Sequence, residues 1–578
     1  MPSPTLADSS FDRSLDVESE CLSEADFPPT ILTHLIETSY EQKAALMPTR
    51  FSLFPSMMAS LKSDDVGDRE NWAGLSCYVV LLLPIILFII SVYIPPRVVS
   101  DSGVGLFALR RMLDGEALNT IVTPDPTNIA NDLVTFVTWW SPGQYLVPSI
   151  FVWLGTSYGV ALSLTTLVAT LIGLVGWIQL ARSFAVSSFV LYVFVLGLCT
   201  FPYVTQRFLG YWGGELLLFS TAPWSLYAMR WSINKRPIVC FTISLFSAAL
   251  LFFAKLTGLL VFASNVIAIS LVVLMDRRRV DSSAIAMWVA SVIAALCFMM
   301  FWVARGPGLP GVSTMSFSWI PILFSVAGGA FSGIYGLGLF LDHPWMRVDF
   351  QWATSLLGPL GLLLMVWVWF RLRRTRYRGM AVLLLSIILI YSIASAMTLR
   401  HLWGVHVSFE DRHYRYAGIL FFLLLLTAVD QWRVSWAKGL AWAVVILLGL
   451  YALRNYATFA YAQMRTGNYD PINRISQDIS PAILEYMRSE VARHNVKRPI
   501  VAISSPSAVI SLPGFRAILI GWDRQPTKWA GRAENIFVVV PEKAPPNDEA
   551  EAILRSFVDY DFNKWRRTKL GGMIIYTQ

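Results

Sequence analysis

Long apolar runs recur along this chain, and they constrain it more than any other feature. They lie at about 76–95, 158–181, 187–204, 212–229, 238–254, 257–275, 283–303, 352–371, 380–398, 415–430 and 438–456. A run of about 20 apolar residues, coiled as a helix, crosses roughly 30 Å of hydrocarbon. Only 15% of the residues are charged, against about a quarter in soluble domains, and mean hydropathy is +0.55. The chain is expected to be a polytopic α-helical membrane protein of eleven transmembrane helices. A barrel would need alternating strands of about ten residues, which the sequence lacks. The net charge of +8 comes from arginine-rich loops and reads as topology, so no nucleic-acid partner is expected. The five cysteines show no metal or disulfide spacing.

Arginine and lysine set the orientation. They cluster at Arg230, Lys235 and Arg236, at Arg277–Arg279, at Arg371–Arg378, and at Arg433 with Lys438. With the N-terminus in the cytoplasm all four clusters fall on the cytoplasmic side. The Gly-rich stretch 319–341 then cannot cross, because a crossing would move the five-arginine loop outside. Residues 304–350 are therefore expected as an outer loop with surface or re-entrant helices.

Three regions follow. Residues 1–74 form an acidic, disordered cytoplasmic tail, with a short amphipathic helix near 51–62. Residues 75–456 form the membrane module, with a long first outer loop at 96–157. Residues 457–578 form a small outer α/β domain, with strands expected at 499–504, 516–520, 536–540 and 573–577 and helices at 480–494 and 548–558. It carries no Gly-rich phosphate loop.

The polar outer residues are where chemistry could sit. Asp101 opens the first outer loop. Outer helix ends should be poor in cations, yet Arg207, Lys255, Arg400, Arg412 and Arg415 lie there, with His401 and His413 beside them. Lys255, at a tight turn between two spans, either snorkels to the interface or holds an anion. Together such cations suit a lipid phosphate. The run from Arg400 to Tyr416 mixes Glu410, Asp411, Arg412 and His413 more densely than an interfacial belt needs. Trp140-Ser141-Pro142-Gly143-Gln144-Tyr145 precedes a span and marks the membrane interface.

In order and sidedness these segments resemble the GT-C superfamily of polyprenyl-phosphate-sugar-dependent glycosyltransferases, which includes protein O-mannosyltransferases and the lipid A aminoarabinose transferase. The likeness rests on Asp101 and the following 107–115 segment, the 140–145 motif, Ala254-Lys255-Leu256-Thr257-Gly258, and Glu410-Asp411-Arg412-His413-Tyr414. It implies a GT-C-like bundle that moves a sugar from a polyprenyl-phosphate donor to a glycan, lipid or protein acceptor, with inversion. Asp101 would be the base. Lys255, Arg207, Arg412 and His413 would bind the donor phosphate, and Trp140, Gln144, Tyr145 and Glu410 would line the substrate loop. Many members carry paired acids where this chain has Asp101-Ser102, so the second carboxylate is expected at Glu215, with Asp114, Asp125 and Asp132 as alternatives. A divalent cation is left open, as is the oligomeric state. The rival functions are a lipid or sugar transporter or flippase, and a non-catalytic envelope scaffold. The expected location is the bacterial inner membrane, among its lipids, with the C-terminal domain in the periplasm.

Overall fold

The computed structural model describes residues 81–98, 100–138, 140–277, 281–306, 319–333, 350–399, 411–432, 434–520, 528–542 and 548–578. The expected tail 1–74, its helix near 51–62, and Arg400, His401 and Glu410 lie outside these residues. The protein is a helical membrane bundle carrying a small C-terminal sheet domain.

Among the described residues, six helices are long and apolar enough to cross a membrane: Tyr158–Arg182, Pro237–Ala254, Gly258–Asp276, Ser282–Arg305, Arg378–Met397 and Ser435–Arg465. Each of the other five expected spans also coincides with a helix: Leu82–Tyr93, Ser188–Thr200, Gly214–Ser232, Phe350–Leu372 and Arg415–Asp430. Local signals set several ends. The Ser187 side chain accepts from Val190 N–H at the start of one helix, and Pro237 occupies the first turn of another. Inside the bundle the aromatic side chains interlock, with Trp177 edge-on to Phe194 and tilted against Phe219 and Tyr416.

Of the Gly-rich stretch the structure describes residues 319–333, and of the two expected forms, surface or re-entrant, they do not take the surface one. Ile320–Phe331 is a buried helix packed among Phe350–Leu372, Arg378–Met397 and Arg415–Asp430. Phe324, Ala327 and Ala330 are buried. At 12 residues it measures about 18 Å and falls short of the hydrocarbon thickness. Its small residues permit the packing: a Cβ on Gly328 would touch the Tyr414 ring.

Residues 96–157, expected as the long first outer loop, are mostly ordered secondary structure where described. Ser100–Leu113 is a helix, Thr120–Asp125 and Asn128–Phe136 form an antiparallel hairpin, and Gly143–Trp153 is a second helix. A four-stranded patchwork then ties the outer segments together. Arg97–Val98 pairs in parallel with Gly210–Tyr211 on one side and with Ile475–Ser476 on the other. Tyr469–Asp470 closes the far edge.

The C-terminal sheet contains five strands in the order Arg566–Leu570, Met573–Thr577, Ile536–Pro541, Ile500–Ile503, Arg516–Leu519. The last three are parallel and the first two antiparallel. Four strands match expectation. Arg566–Leu570 was missed, because its burial is low and its residues are mostly charged. Ile500–Ile503 is buried along its whole length, and Ile500, Val501 and Ile503 each contribute about 2 kcal/mol relative to exposure. The long helix Ser435–Thr466 leads to this domain and ends at Gly467, whose φ of 61° is left-handed. Near its end, Gln463 Nε2 donates to the carbonyls of Pro95 and Leu209, at 3.3 and 3.1 Å.

Candidate active site

Glu215 lies in the first turn of Gly214–Ser232 and is buried. Lys255 follows the last residue of Pro237–Ala254 in an extended conformation. Its Nζ donates to Glu215 Oε1 at 2.9 Å. Arg412 Nη1 stands 3.6 Å from the same oxygen. Arg207 adds a third positive charge acting on this carboxylate. The Arg207 and Arg412 guanidiniums both lie over the Trp212 ring, 5.0 and 5.3 Å from its centroid. Among the described residues, one buried carboxylate therefore gathers three cations in a largely dry setting. Such a place attracts an anion.

The backbone makes this convergence feasible. Gly213 has φ +49°, and a Cβ there would lie 2.7 Å from Gln144 Cβ and 3.4 Å from Ser102 Oγ. A Cβ on Gly143 would come within 2.3 Å of the Phe253 carbonyl oxygen, two residues before Lys255. The first turn of Ser100–Leu113, the start of Gly143–Trp153 and the Lys255 turn thus meet around the Glu215 helix end.

A small cavity opens beside the cluster, lined by Trp177, Glu215, Tyr391, Arg412, His413 and Tyr416 among others. Tyr391 donates to the His413 carbonyl at 2.6 Å, and Tyr416 donates to Asn265 Oδ1 at 2.9 Å. Burial, reinforced by the Lys255 and Arg412 charges, holds the His413 imidazole well below its ordinary 6.5. His413 is therefore neutral at neutral pH and can offer an N–H but no charge.

The match with solved structures follows from this architecture. ArnT from Cupriavidus metallidurans bound to undecaprenyl phosphate is similar at 12% identity and a TM-score of 0.50, covering 88% of this chain and 98% of that one. The apo state of ArnT from the same organism gives 12% identity and a TM-score of 0.49, covering 86% and 97%. The arabinofuranosyltransferase AftD from Mycobacteria gives 13% identity and a TM-score of 0.40, covering 88% of this chain and 41% of its own. The chain has a GT-C fold. No family model and no curated protein matches the sequence.

Within this GT-C fold the expected site residues separate. Glu215, Lys255, Arg207, Arg412 and His413 are brought together. Asp101 occupies the first turn of Ser100–Leu113. Its side chain lies outside the described residues, but Ser102 beside it is buried next to Gly213. Gln144 is buried against Gly105 and Gly213 with no hydrogen-bond partner for its Nε2. Tyr145 is buried and donates to Asn119 Oδ1, and Trp140 is half-buried.

The alternative acids are engaged elsewhere. Asp114 stands 4.0 Å from Arg110. Asp125 accepts from Thr127 N–H and its hydroxyl at 2.8 Å. Asp132 pairs with Arg498 and Arg516. Among the described residues, no three His, Cys, Asp or Glu side chains gather as a metal-holding group. Sequence reasoning missed Trp212, the shared platform under both arginines. An aromatic pair among glycines in Gly210-Tyr211-Trp212-Gly213-Gly214 was its signal.

Proposed function

We propose that this protein is a membrane glycosyltransferase that moves a sugar from a polyprenyl-phosphate donor to an acceptor hydroxyl at the outer face of a bacterial plasma membrane. The observation that carries the reading is the convergence of Lys255, Arg412 and Arg207 on the buried Glu215, at the end of the bundle opposite the arginine-rich loops. Glu215 and Arg230 sit at the two ends of one helix, about 22 Å apart along its axis. The N-terminus is then cytoplasmic and the C-terminal domain periplasmic, with eleven crossings in all.

In this reading the acceptor oxygen attacks the anomeric carbon as Asp101 takes its proton. The bond between that carbon and the phosphate oxygen breaks, and the electron pair leaves with the lipid phosphate. A single displacement inverts the anomeric centre. Lys255, Arg412 and Arg207 stabilise the charge that grows on the leaving phosphate, and His413 supplies a neutral N–H. Glu215, whose charge is committed to Lys255 and Arg412, holds those cations in place for the donor. It is poorly placed to be the base. Trp140, Gln144, Tyr145 and Glu410 border the substrate, with the unpartnered Gln144 amide offering a donor to a sugar hydroxyl. The acceptor is a glycan, lipid or protein that presents such a hydroxyl.

The test is incubation of purified protein in vesicles with a radiolabelled polyprenyl-phosphate sugar and candidate acceptors. Transfer is expected, and Asp101→Asn should slow it roughly 10²- to 10⁴-fold, the scale of a general base, while donor binding persists. Translocation of label without transfer would make the protein a flippase. Near-normal transfer by Asp101→Asn would remove that residue from the base role.

A further inference from the structure

A second cleft lies away from the Glu215 cluster, where the Ser100–Leu113 helix, the start of Tyr158–Arg182 and the C-terminal domain meet. Its volume is about 500 Å³, within the roughly 300–1,000 Å³ usual for ligand sites. Arg110, Leu113, Asp114, Tyr158, Asn473 and Arg488 contribute to its wall.

Two of these groups are held in place before any ligand arrives. Arg110 Nη1 donates to the Ile510 carbonyl at 2.6 Å, and Arg488 Nη2 donates to the Ser511 carbonyl. Each guanidinium has five N–H donors in a fixed fork, so each keeps donors to offer. Asp114, about half exposed, provides an acceptor beside Arg110. Asn473 is fixed by its bonds to Asp470. Donors, one carboxylate acceptor and a tyrosine ring around an open cleft suit a polyhydroxylated ligand, which both donates and accepts. At the wall itself two arginines face one aspartate, while the Asp470 carboxylate is buried behind it and spent on Asn473 and Ser511, so the open surface suits one acidic substituent.

Position gives the cleft its meaning. Arg110 lies nine residues after Asp101 on one helix, about 14 Å along its axis. A ligand held at Arg110 could extend a hydroxyl towards the first turn of that helix. We infer that this cleft is the acceptor subsite, and that it binds an oligosaccharide carrying an acidic group, carboxylate or phosphate. The assignment of the ligand as acceptor rests on the proposed transfer reaction, whereas its binding chemistry does not.

The experiment uses the full chain in detergent micelles. Equilibrium dialysis measures a radiolabelled glucuronic-acid-containing disaccharide and its neutral glucose-containing counterpart. Leu113→Trp fills the cleft from an exposed position and leaves every arginine bond intact. Arg488→Gln removes the charge. Each variant is expected to weaken binding of the acidic disaccharide at least tenfold, with undecaprenyl phosphate binding unchanged, and the neutral disaccharide is expected to bind the wild type more weakly. Absent binding, equal binding by wild type and Leu113→Trp, or no preference for the acidic sugar would overturn the inference. Loss of undecaprenyl phosphate binding in Leu113→Trp would overturn it too, by giving the cleft to the donor. If the protein transfers no sugar at all, the dialysis still reports whether the cleft takes saccharides.

Discussion

Lys255 carries the sharpest residue-scale prediction. Its ammonium is largely buried and bonded to Glu215, and under the proposed chemistry it also faces the leaving phosphate. Lys255→Ala should cut transfer about 10²- to 10³-fold, the scale seen when one stabilising donor is lost, and should raise the donor KM. Lys255→Arg should restore part of the rate if charge is what matters. Unchanged donor dependence in Lys255→Ala would return the residue to an interfacial role. The sequence exposed Lys255 because a lysine at membrane depth is costly and rare. It hid Trp212, because a tryptophan near a helix end looks like any interfacial aromatic until Arg207 and Arg412 are seen over its ring. It also left Glu215 ambiguous. Only the fold shows that one carboxylate anchors cations drawn from segments 40 and 197 residues away.

At the scale of elements, the hairpin Thr120–Asp125 and Asn128–Phe136 links the first outer segment to the C-terminal domain. Arg516, buried in the strand Arg516–Leu519, donates to the carbonyls of Ile129, Ala130 and Asn131 and to Asp132. Arg498 also binds Asp132. An arginine whose Nη1 shares its two N–H groups among these acceptors, the Ile129 carbonyl nearest at 2.7 Å, is a clamp. Arg516→Met should release the hairpin, and hydrogen exchange should show lost protection at 128–136 while the membrane helices stay protected. Retained protection would show that Ile129, buried in the domain core, and the backbone bonds of Ile129 and Pro126 with Ala530 suffice without the arginine. The apolar spans were legible because 3.6-residue coiling and hydrocarbon thickness leave few alternatives. This hairpin was not: its second strand is mostly exposed, and it owes its order to a partner more than 350 residues away. The buried Ile320–Phe331 helix was half-legible. Charge placement argued against a crossing, but only packing shows it turned inward.

The whole molecule joins a bundle to a water-exposed domain, and the two should answer differently to acid. In the domain, Glu490 accepts from Arg566 and Arg493. The Arg566 hydrogen bond, followed by neighbouring charges, holds its carboxyl below the ordinary 4.5. A lowered folded-state value stabilises the fold above the unfolded value and is lost as pH falls through the folded one. Below about pH 4.5, the Pro481–Arg493 helix should therefore lose hydrogen-exchange protection in the full chain, and Glu490→Gln should start lower and respond less steeply. An identical pH profile in the variant would remove Glu490 from the effect. The helix that joins the two parts sets a further constraint. Ser435–Thr466 has 32 residues, about 48 Å of rigid rod, against roughly 30 Å of hydrocarbon. The rod is a ruler. It cannot stretch, so a thicker membrane would draw the domain down towards the headgroups and a thinner one would lift it. The height of the domain above the headgroups is then set by bilayer thickness as much as by any side chain.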